Sequence, residues 1–255
     1  MDDRKKQREK KRRIANLQAL LIVLLFSTIA LLLIAVVMKG GVKDSPVVSK
    51  NTEEVVDVNV TTEGSRIEAE PIVAAKDVFP ELDIKEQYIT PNRYSRPQIE
   101  LKKVTHIVVH YTGNPGTSAK ANASYFDGLK EQENQNKKSP IFASSHFVIG
   151  LKGEIIQCIP LNEQSYASNH MNSCSISIEM CHPDDTGAFE NETYNSAVFL
   201  IAKLCNYYNI PTDNVVRHYD VTGKLCPKYF VDNPESFKGF KEWIDKWRKK
   251  YATEK

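Results

Sequence analysis

The longest apolar segment of the chain covers residues 19–38, twenty residues without a charge and with only Ser27 and Thr28 polar. A helix of this length spans about 30 Å, the hydrocarbon thickness of a bilayer, and it would be apolar on every face. A cleaved signal peptide is the alternative, but its apolar region usually has about 7–15 residues and ends at a small-x-small site. We therefore predict a transmembrane helix here.

The residues on either side of the apolar segment are strongly charged. Residues 1–18 form a basic tail that the positive-inside bias places in the cytoplasm, so everything after the helix would lie outside the cell. Residues 44–86 carry eleven acids, four bases and one aromatic residue, Phe79. Such a composition buries too little apolar surface to offset the entropy of ordering. Residues 39–86 are therefore predicted to be a solvated acidic stalk.

From residue 87 to residue 255 the hydrophobic pattern is that of one folded domain, long enough for its own core. β-Branched and apolar runs predict strands, and two of the runs flank Gly150-Leu151-Lys152-Gly153, which indicates a hairpin. Apolar residues at helical spacing predict the helices. Because strands and helices interleave, we predict an α/β (α+β) domain with a central mixed sheet flanked by helices. The predicted strands are 105–111, 145–149, 154–159, 175–180 and 215–216, followed by an irregular loop; the helices are 118–130, 194–208 and 235–251.

Composition and charge narrow the class of protein. The chain has 34 basic and 32 acidic residues and is 41% hydrophobic, which excludes a fully disordered chain, a collagen and a disulfide-dense miniprotein. Residues 1–13 hold eight bases and three acids, so the excess of positive charge belongs to this short segment. The rest of the chain is slightly acidic, and nucleic acid is not an implied partner.

Two histidines and one cysteine stand out as candidate metal ligands. His110 closes the strand 105–111, His218 follows the strand 215–216, and Cys226 comes eight residues after His218. Two imidazoles and a thiolate suffice for a catalytic zinc and leave the fourth position open. Taken singly, each histidine is more often an ordinary core or surface residue, and Cys226 is more often a small buried side chain or half of a disulfide. No CxxC or HExxH spacing is present.

Glu179 and Lys224 are candidates for acid–base and electrostatic roles. Alternation along the strand 175–180 places Ile176 and Ile178 on one face and Glu179 on the other. Glu179 is then either a solvent-facing glutamate at a strand end or a general base near a metal-activated water. Lys224 lies two residues before Cys226, and it is either a surface lysine or a group that stabilises an oxyanion.

The order of these motifs resembles the type 2 family of zinc-dependent N-acetylmuramoyl-L-alanine amidases, which includes phage amidase lysozymes and peptidoglycan recognition proteins. The resemblance covers about residues 101–232, and its most specific part surrounds His218 to Pro227. It implies a mixed sheet with helices packed on it and a zinc groove at the surface. The motifs that carry it are Val108-Val109-His110-Tyr111-Thr112-Gly113, Ser144-Ser145-His146-Phe147-Val148-Ile149, Ser177-Ile178-Glu179-Met180 and Arg217-His218-Tyr219-Asp220-Val221-Thr222-Gly223-Lys224-Leu225-Cys226-Pro227.

The resemblance implies a role for each matching residue. The residues that would bind one Zn²⁺ per domain are His110, His218 and Cys226. Glu179 would activate the water, and Lys224 would steady the tetrahedral intermediate. Some phage members use a tyrosine at the position of Ser145, so in this chain more weight falls on Glu179. His146 matches a position near the cleft and is expected to contact substrate without binding the metal.

The function implied is hydrolysis of the amide bond between N-acetylmuramic acid and L-alanine in peptidoglycan, in cell-wall remodelling or turnover, by a domain tethered to the plasma membrane of a bacterium through residues 19–38. One alternative is a non-catalytic module that binds or senses peptidoglycan; such relatives typically lose the cysteine ligand, which this chain keeps as Cys226. The other alternative is a phage-type endolysin with a signal anchor.

The remaining cysteines allow three pairings or none, so no disulfide is assigned: Cys158, Cys174, Cys181 and Cys205.

Overall fold

The computed structural model describes residues 71–135 and 138–253. Six strands form one mixed sheet: β1 Ile84–Glu86, β2 His106–Tyr111, β3 Phe147–Ile149, β4 Ile155–Gln157, β5 Ser175–Met180 and β6 Val215–Arg217. Their order in the sheet is β1-β4-β3-β5-β2-β6. All neighbouring strands are parallel except β3 and β4, which form the antiparallel hairpin predicted around Gly150-Leu151-Lys152-Gly153.

The helices connect the strands and cover both faces of the sheet. Ser118 caps the second helix by accepting a hydrogen bond from the Ala121 N–H, as expected for a serine just before a helix. Three 3₁₀ segments, Leu129–Gln135, Asn169–Met171 and Thr212–Asn214, lie between the main elements. The α-helices are α1 Ala75–Val78, α2 Ala119–Gly128, α3 Asn191–Tyr207, α4 His218–Thr222, α5 Lys228–Asp232 and α6 Pro234–Thr253.

Alternation along the strands produces two apolar layers. Phe147 and Ile149 face α3, whereas Val148, between them, packs with α2 on the opposite face. The amphipathic helix α6 then covers α3, with Tyr194 and Phe240 in edge contact at 5.0 Å between ring centroids. Burial of each of these aliphatic or aromatic side chains stabilises the fold by about 1.5–3 kcal/mol. The two layers therefore hold the sheet that carries the functional residues.

The hairpin turn is held tightly against α3. Gly153 adopts φ +79°, a conformation that favours glycine. A Cβ atom there would also lie 2.9 Å from the backbone oxygen of Glu192. A side chain is therefore excluded at Gly153 both by conformation and by the approach of the helix.

The folded domain begins earlier than predicted. Residues 71–86 were expected to be part of a solvated stalk, but they contain α1 and β1, and β1 pairs with β4. Ala75, Phe79 and Ile84 are buried in the main core. The average composition of residues 44–86 hides these few apolar positions, whose partners are about 70 to 130 residues away along the chain.

One local prediction is also corrected near the functional site. The residues after 216 were expected to form an irregular loop, but His218–Thr222 is a short helix that ends at Gly223, where φ is +77°. Three predictions concern residues outside the described part of the chain: the basic tail 1–18, the transmembrane helix 19–38 and the stalk from 39 to 70. Among the helices that the structure does describe, none is long and apolar enough to cross a membrane.

Candidate active site

Three neighbouring parallel strands bring the predicted residues to one edge of the sheet. His110 of β2 is the register partner of Glu179 of β5, and Val109 is the partner of Arg217 of β6. The residue after Arg217, His218, therefore lies beside His110. Because parallel strands end at the same edge of a sheet, these positions form a row although they are far apart in the sequence.

The segment from Arg217 to Cys226 folds back so that its two ends meet. The Asp220 carboxylate accepts hydrogen bonds from the Arg217 backbone and guanidinium at 2.6–3.0 Å, which fixes the start of the helix that carries His218. The Tyr219 N–H donates to the Cys226 carbonyl at 2.8 Å. This closed loop returns Cys226 to the histidines.

His110, His218 and Cys226 form a group suited to a metal. All three residues are buried, and their candidate ligand atoms lie within 4.8 Å of one another. His110 Nδ1 is 3.8 Å from Cys226 Sγ, close to the roughly 3.5 Å that separates a nitrogen and a sulfur ligand on one tetrahedral zinc. His218 Nδ1 is buried and has no hydrogen-bond partner among the described residues. The donor types, their spacing and this unpaired nitrogen all fit a zinc ion.

The protonation of the group follows from its burial. Burial, with the charges of His218 and Lys224, lowers the pKa of His110 well below 6.5, and burial and Lys224 also lower that of His218. Both rings are therefore neutral at pH 7 and offer a lone pair. Burial raises the pKa of the Cys226 thiol to about 12, so loading the site with metal must release this proton.

Glu179 stands next to the donor group with an unused carboxylate oxygen. Its Oε2 is buried without a hydrogen-bond partner in the described part of the chain. Burial raises the pKa of Glu179 to about 8, and the charge of Lys224 opposes this rise. A buried carboxylate without a partner is costly in a core, but it is suited to exchanging a proton with a bound reactant.

The group opens into a cleft of about 380 Å³. Lys224 lies on the wall of this cleft and is exposed to solvent. Other wall residues come from segments that carry no periodic pattern, and of these only Ser144 stands in a motif quoted for the family resemblance. They were not predicted as site residues: Phe142, Ser144, Tyr166, Asn169 and Asn172.

The structure places His146, the predicted substrate contact, away from the surface of the cleft. Its side chain is fully buried, and it is not among the residues that line the cleft. The Ser177 N–H donates to Nδ1 at 3.0 Å, and Nε2 donates to the Glu163 carbonyl at 2.9 Å. Both ring nitrogens are thus occupied inside the protein. Ser145, beside it, is also buried, and its hydroxyl lies 3.0 Å from the carbonyl oxygens of both Phe147 and Ser177, either of which can accept its proton.

His146 predicts a pH dependence of stability. Burial lowers its pKa from 6.5 to about 4 in the folded protein. Between pH 6.5 and about pH 4 this histidine is therefore protonated in the unfolded chain but not in the folded chain. Because the unfolded chain binds the extra proton, the free energy of unfolding falls by up to about 3 kcal/mol as the pH drops through this range. In His146→Asn the dependence on pH should be shallower. Denaturant titrations from pH 4 to 7.5 measure it.

The matched control for this prediction is His170→Asn, because His170 is exposed and the same residue type is removed. The fall in stability from pH 6.5 to pH 4 should be smaller in His146→Asn than in this control. Equal slopes in all three proteins would contradict the role assigned to His146.

All five cysteines belong to the described residues, and none is in a disulfide. Cys158, Cys181 and Cys205 are buried, and burial raises the pKa of each thiol to about 12. Apart from Cys226, no cysteine lines the cleft.

Comparisons with known proteins indicate an amidase, a function compatible with the geometry of the site. The sequence model of the family described as N-acetylmuramoyl-L-alanine amidase matches residues 100–229. The chain is 34% identical over 174 residues to N-acetylmuramoyl-L-alanine amidase CwlL of Bacillus licheniformis, covering 64% of this chain and 46% of the relative. It is 34% identical over 178 residues to N-acetylmuramoyl-L-alanine amidase BlyA of Bacillus subtilis, covering 62% of this chain and 45% of the relative.

A solved structure extends the comparison to the fold. The catalytic domain of XlyA is 30% identical, with a TM-score of 0.51, and the match covers 64% of this chain and 99% of that domain. The chain spans about half the length of the curated relatives it matches. The mixed sheet flanked by helices is thus a fold shared with that catalytic domain. Since the family match covers just over half of the chain, the chain belongs to the N-acetylmuramoyl-L-alanine amidase family.

Proposed function

We propose that the domain is a zinc-dependent hydrolase that cleaves the amide bond between N-acetylmuramic acid and L-alanine in peptidoglycan. The observation that carries this proposal is the placement of Glu179, whose Oε2 is buried and has no partner in the described part of the chain, beside a buried His-His-Cys donor group in an open cleft. Membership of the amidase family supplies the bond and the substrate class.

Three residues would hold the metal: His110, His218 and Cys226. Bound Zn²⁺ supplies Lewis acidity, which activates a water nucleophile and polarises the scissile carbonyl. The neutral state of both imidazoles and the open side of the cleft suit a catalytic site, in which the protein leaves one position free.

Glu179 would move the proton in both halves of the reaction. As general base its carboxylate takes a proton from the attacking water while a carbon–oxygen bond forms at the lactyl carbonyl. As general acid it then gives the proton to the nitrogen of L-alanine as the carbon–nitrogen bond breaks. Burial raises its pKa to about 8 and the charge of Lys224 opposes this rise; a metal cation at the donor group would lower the pKa further and favour the ionised carboxylate.

Lys224 would stabilise the oxyanion of the tetrahedral intermediate. In Lys224→Met we expect kcat to fall by about 10²-fold while KM changes less than about threefold, because the charge acts mainly in the transition state. The control is Lys152→Met, since Lys152 is an exposed lysine of the hairpin turn. Steady-state kinetics on a soluble muropeptide measures both constants. An unchanged kcat in Lys224→Met would remove Lys224 from the mechanism.

The bond that is cut can be identified by the groups released. Incubation of peptidoglycan with the full-length chain should release free α-amino groups of alanine and no reducing sugar ends. Release of reducing ends would indicate a glycosidase instead. Binding to peptidoglycan and zinc without any release would favour the alternative of a binding or sensing module. The presence of Cys226 and Glu179 in the cleft supports catalysis over that alternative.

We also propose that residues 19–38 anchor the chain in the plasma membrane, with the N-terminus in the cytoplasm and the domain on the wall side. The support is the uncharged length of this segment and the eight bases that precede it. A tether of this kind confines the domain between membrane and wall and fits a role in wall remodelling or turnover. Deletion of residues 19–38 should move the protein from the membrane fraction to the soluble fraction; an unchanged distribution would contradict the anchor.

A further inference from the structure

The two ring nitrogens of His110 have different surroundings. Nδ1 lies 3.8 Å from Cys226 Sγ and thus belongs to the donor group. Nε2 lies 3.2 Å from the hydroxyl oxygen of Ser168. His110 is only 2% exposed and Ser168 is fully buried, so water does not compete for this contact.

A metal bound at the donor group would require one particular tautomer of His110. A neutral imidazole carries one proton, and the nitrogen that binds a metal must be free of it. With a metal on Nδ1, the proton would stand on Nε2, where the Ser168 hydroxyl oxygen lies 3.2 Å away and can accept it. A hydrogen bond on the second nitrogen of a metal-binding histidine fixes the ring orientation and the tautomer together.

Ser168 is itself held in place by the backbone around it. The Asn172 side-chain oxygen accepts hydrogen bonds from the backbone N–H groups of Ser168 at 2.7 Å and Ala167 at 3.1 Å. The Met171 N–H donates to the Ser168 carbonyl at 3.0 Å, at the start of the 3₁₀ segment Asn169–Met171. The hydroxyl oxygen is therefore presented from a braced turn.

We propose that Ser168 is a positioning residue that holds His110 as the Nε2–H tautomer with Nδ1 directed at the metal. This inference rests on the proposed function, because it requires zinc at the donor group. No motif in the sequence indicates Ser168, which lies in an irregular segment 58 residues away from His110 along the chain.

Zinc affinity of the full-length chain, measured by competition with a chromophoric chelator, tests the inference. Ser168→Ala should weaken zinc binding by about tenfold or more, because the ring is no longer held. Ser168→Thr keeps the hydroxyl and should restore most of the affinity. Ser175→Ala is the matched control: Ser175 is buried to the same degree, and its hydroxyl donates to the Met171 carbonyl at 2.8 Å, not to a histidine of the site.

A spectroscopic readout separates positioning from a general loss of structure. In nitrogen-15 spectra of the histidine side chains, zinc-loaded wild-type protein should show the proton of His110 on Nε2, with slow exchange against solvent. In Ser168→Ala that exchange should accelerate, while the signals of the buried His146 stay unchanged. A proton on Nδ1 of His110 in the wild-type protein would overturn the inference without any substitution.

The outcomes distinguish this inference from the proposed function. If the wild-type chain binds no zinc, the proposed function fails and the inference fails with it. If the wild-type chain binds zinc and Ser168→Ala binds it equally well, only the inference is overturned. A Ser168→Thr variant as weak as Ser168→Ala would also overturn it, because the hydroxyl would then not be the group responsible.

Discussion

Glu179→Gln is expected to lower kcat by about 10³-fold and to leave the zinc content near one ion per chain. Glutamine has nearly the same shape, but it cannot accept a proton from water or return one to the leaving amine, and general acid–base catalysis by one residue contributes about 10²–10⁴-fold. The carboxylate is not part of the buried His-His-Cys group, so the metal should remain. Kinetics on a soluble muropeptide and metal analysis of the same sample measure both quantities.

The control for this substitution is Glu190→Gln, since Glu190 is an exposed glutamate just before α3. It should retain full activity. If Glu179→Gln keeps more than about a tenth of the wild-type kcat, another group takes the proton, and the assignment of the general base is wrong. Equal loss of zinc and of activity would instead make Glu179 a structural part of the metal site.

Cys226→Ala is expected to reduce bound zinc from about one ion per chain to less than about a tenth and to abolish hydrolysis. The substitution leaves two imidazoles, fewer than the three protein ligands of a catalytic zinc site. Cys226 is buried, and its Sγ lies 3.8 Å from His110 Nδ1. Among the described residues the donor group has only His110 and His218 besides it, so no third ligand remains to replace the thiolate. Metal analysis after dialysis, together with the kinetic assay, checks both losses.

Cys174→Ala serves as the matched control. Its thiol is half-buried, 3.7 Å from the Met171 carbonyl, and it does not line the cleft. Zinc content and activity should stay at the wild-type level. Full zinc occupancy in Cys226→Ala would contradict the proposed ligand set, and full activity without zinc would contradict the metal dependence itself.

Much of the fold was predictable because its elements have strong local patterns. The strand 175–180 has the predicted bounds, and the helix α3 begins three residues before its first predicted position. Such agreement is expected for a buried β-branched run and for a long apolar face at helical spacing. The order of the strands in the sheet could not be predicted from local patterns, because it depends on contacts between distant segments.

The candidate site likewise combines residues that local patterns indicate with contacts that depend on distant segments. His110 and Glu179 were each predicted near the end of a strand, but their adjacency depends on β2 and β5 being register partners. The family resemblance, not the spacing, brought the two residues together. The burial of Ala75 and Phe79 and the enclosure of His146 likewise depend on tertiary partners. Ser168 has no local signal at all, since a single serine in an irregular segment is unremarkable until the fold places it against His110.

The most direct test of the account is hydrolysis of purified peptidoglycan by the full-length chain in water enriched in oxygen-18, followed by mass spectrometry of the products. We predict one heavy oxygen in the lactyl carboxylate of the glycan product and unlabelled stem peptides with a free N-terminal alanine. A zinc chelator should stop both products, and added zinc should restore them. Label in the stem peptides, or release that persists under chelation, would contradict a zinc-dependent amidase.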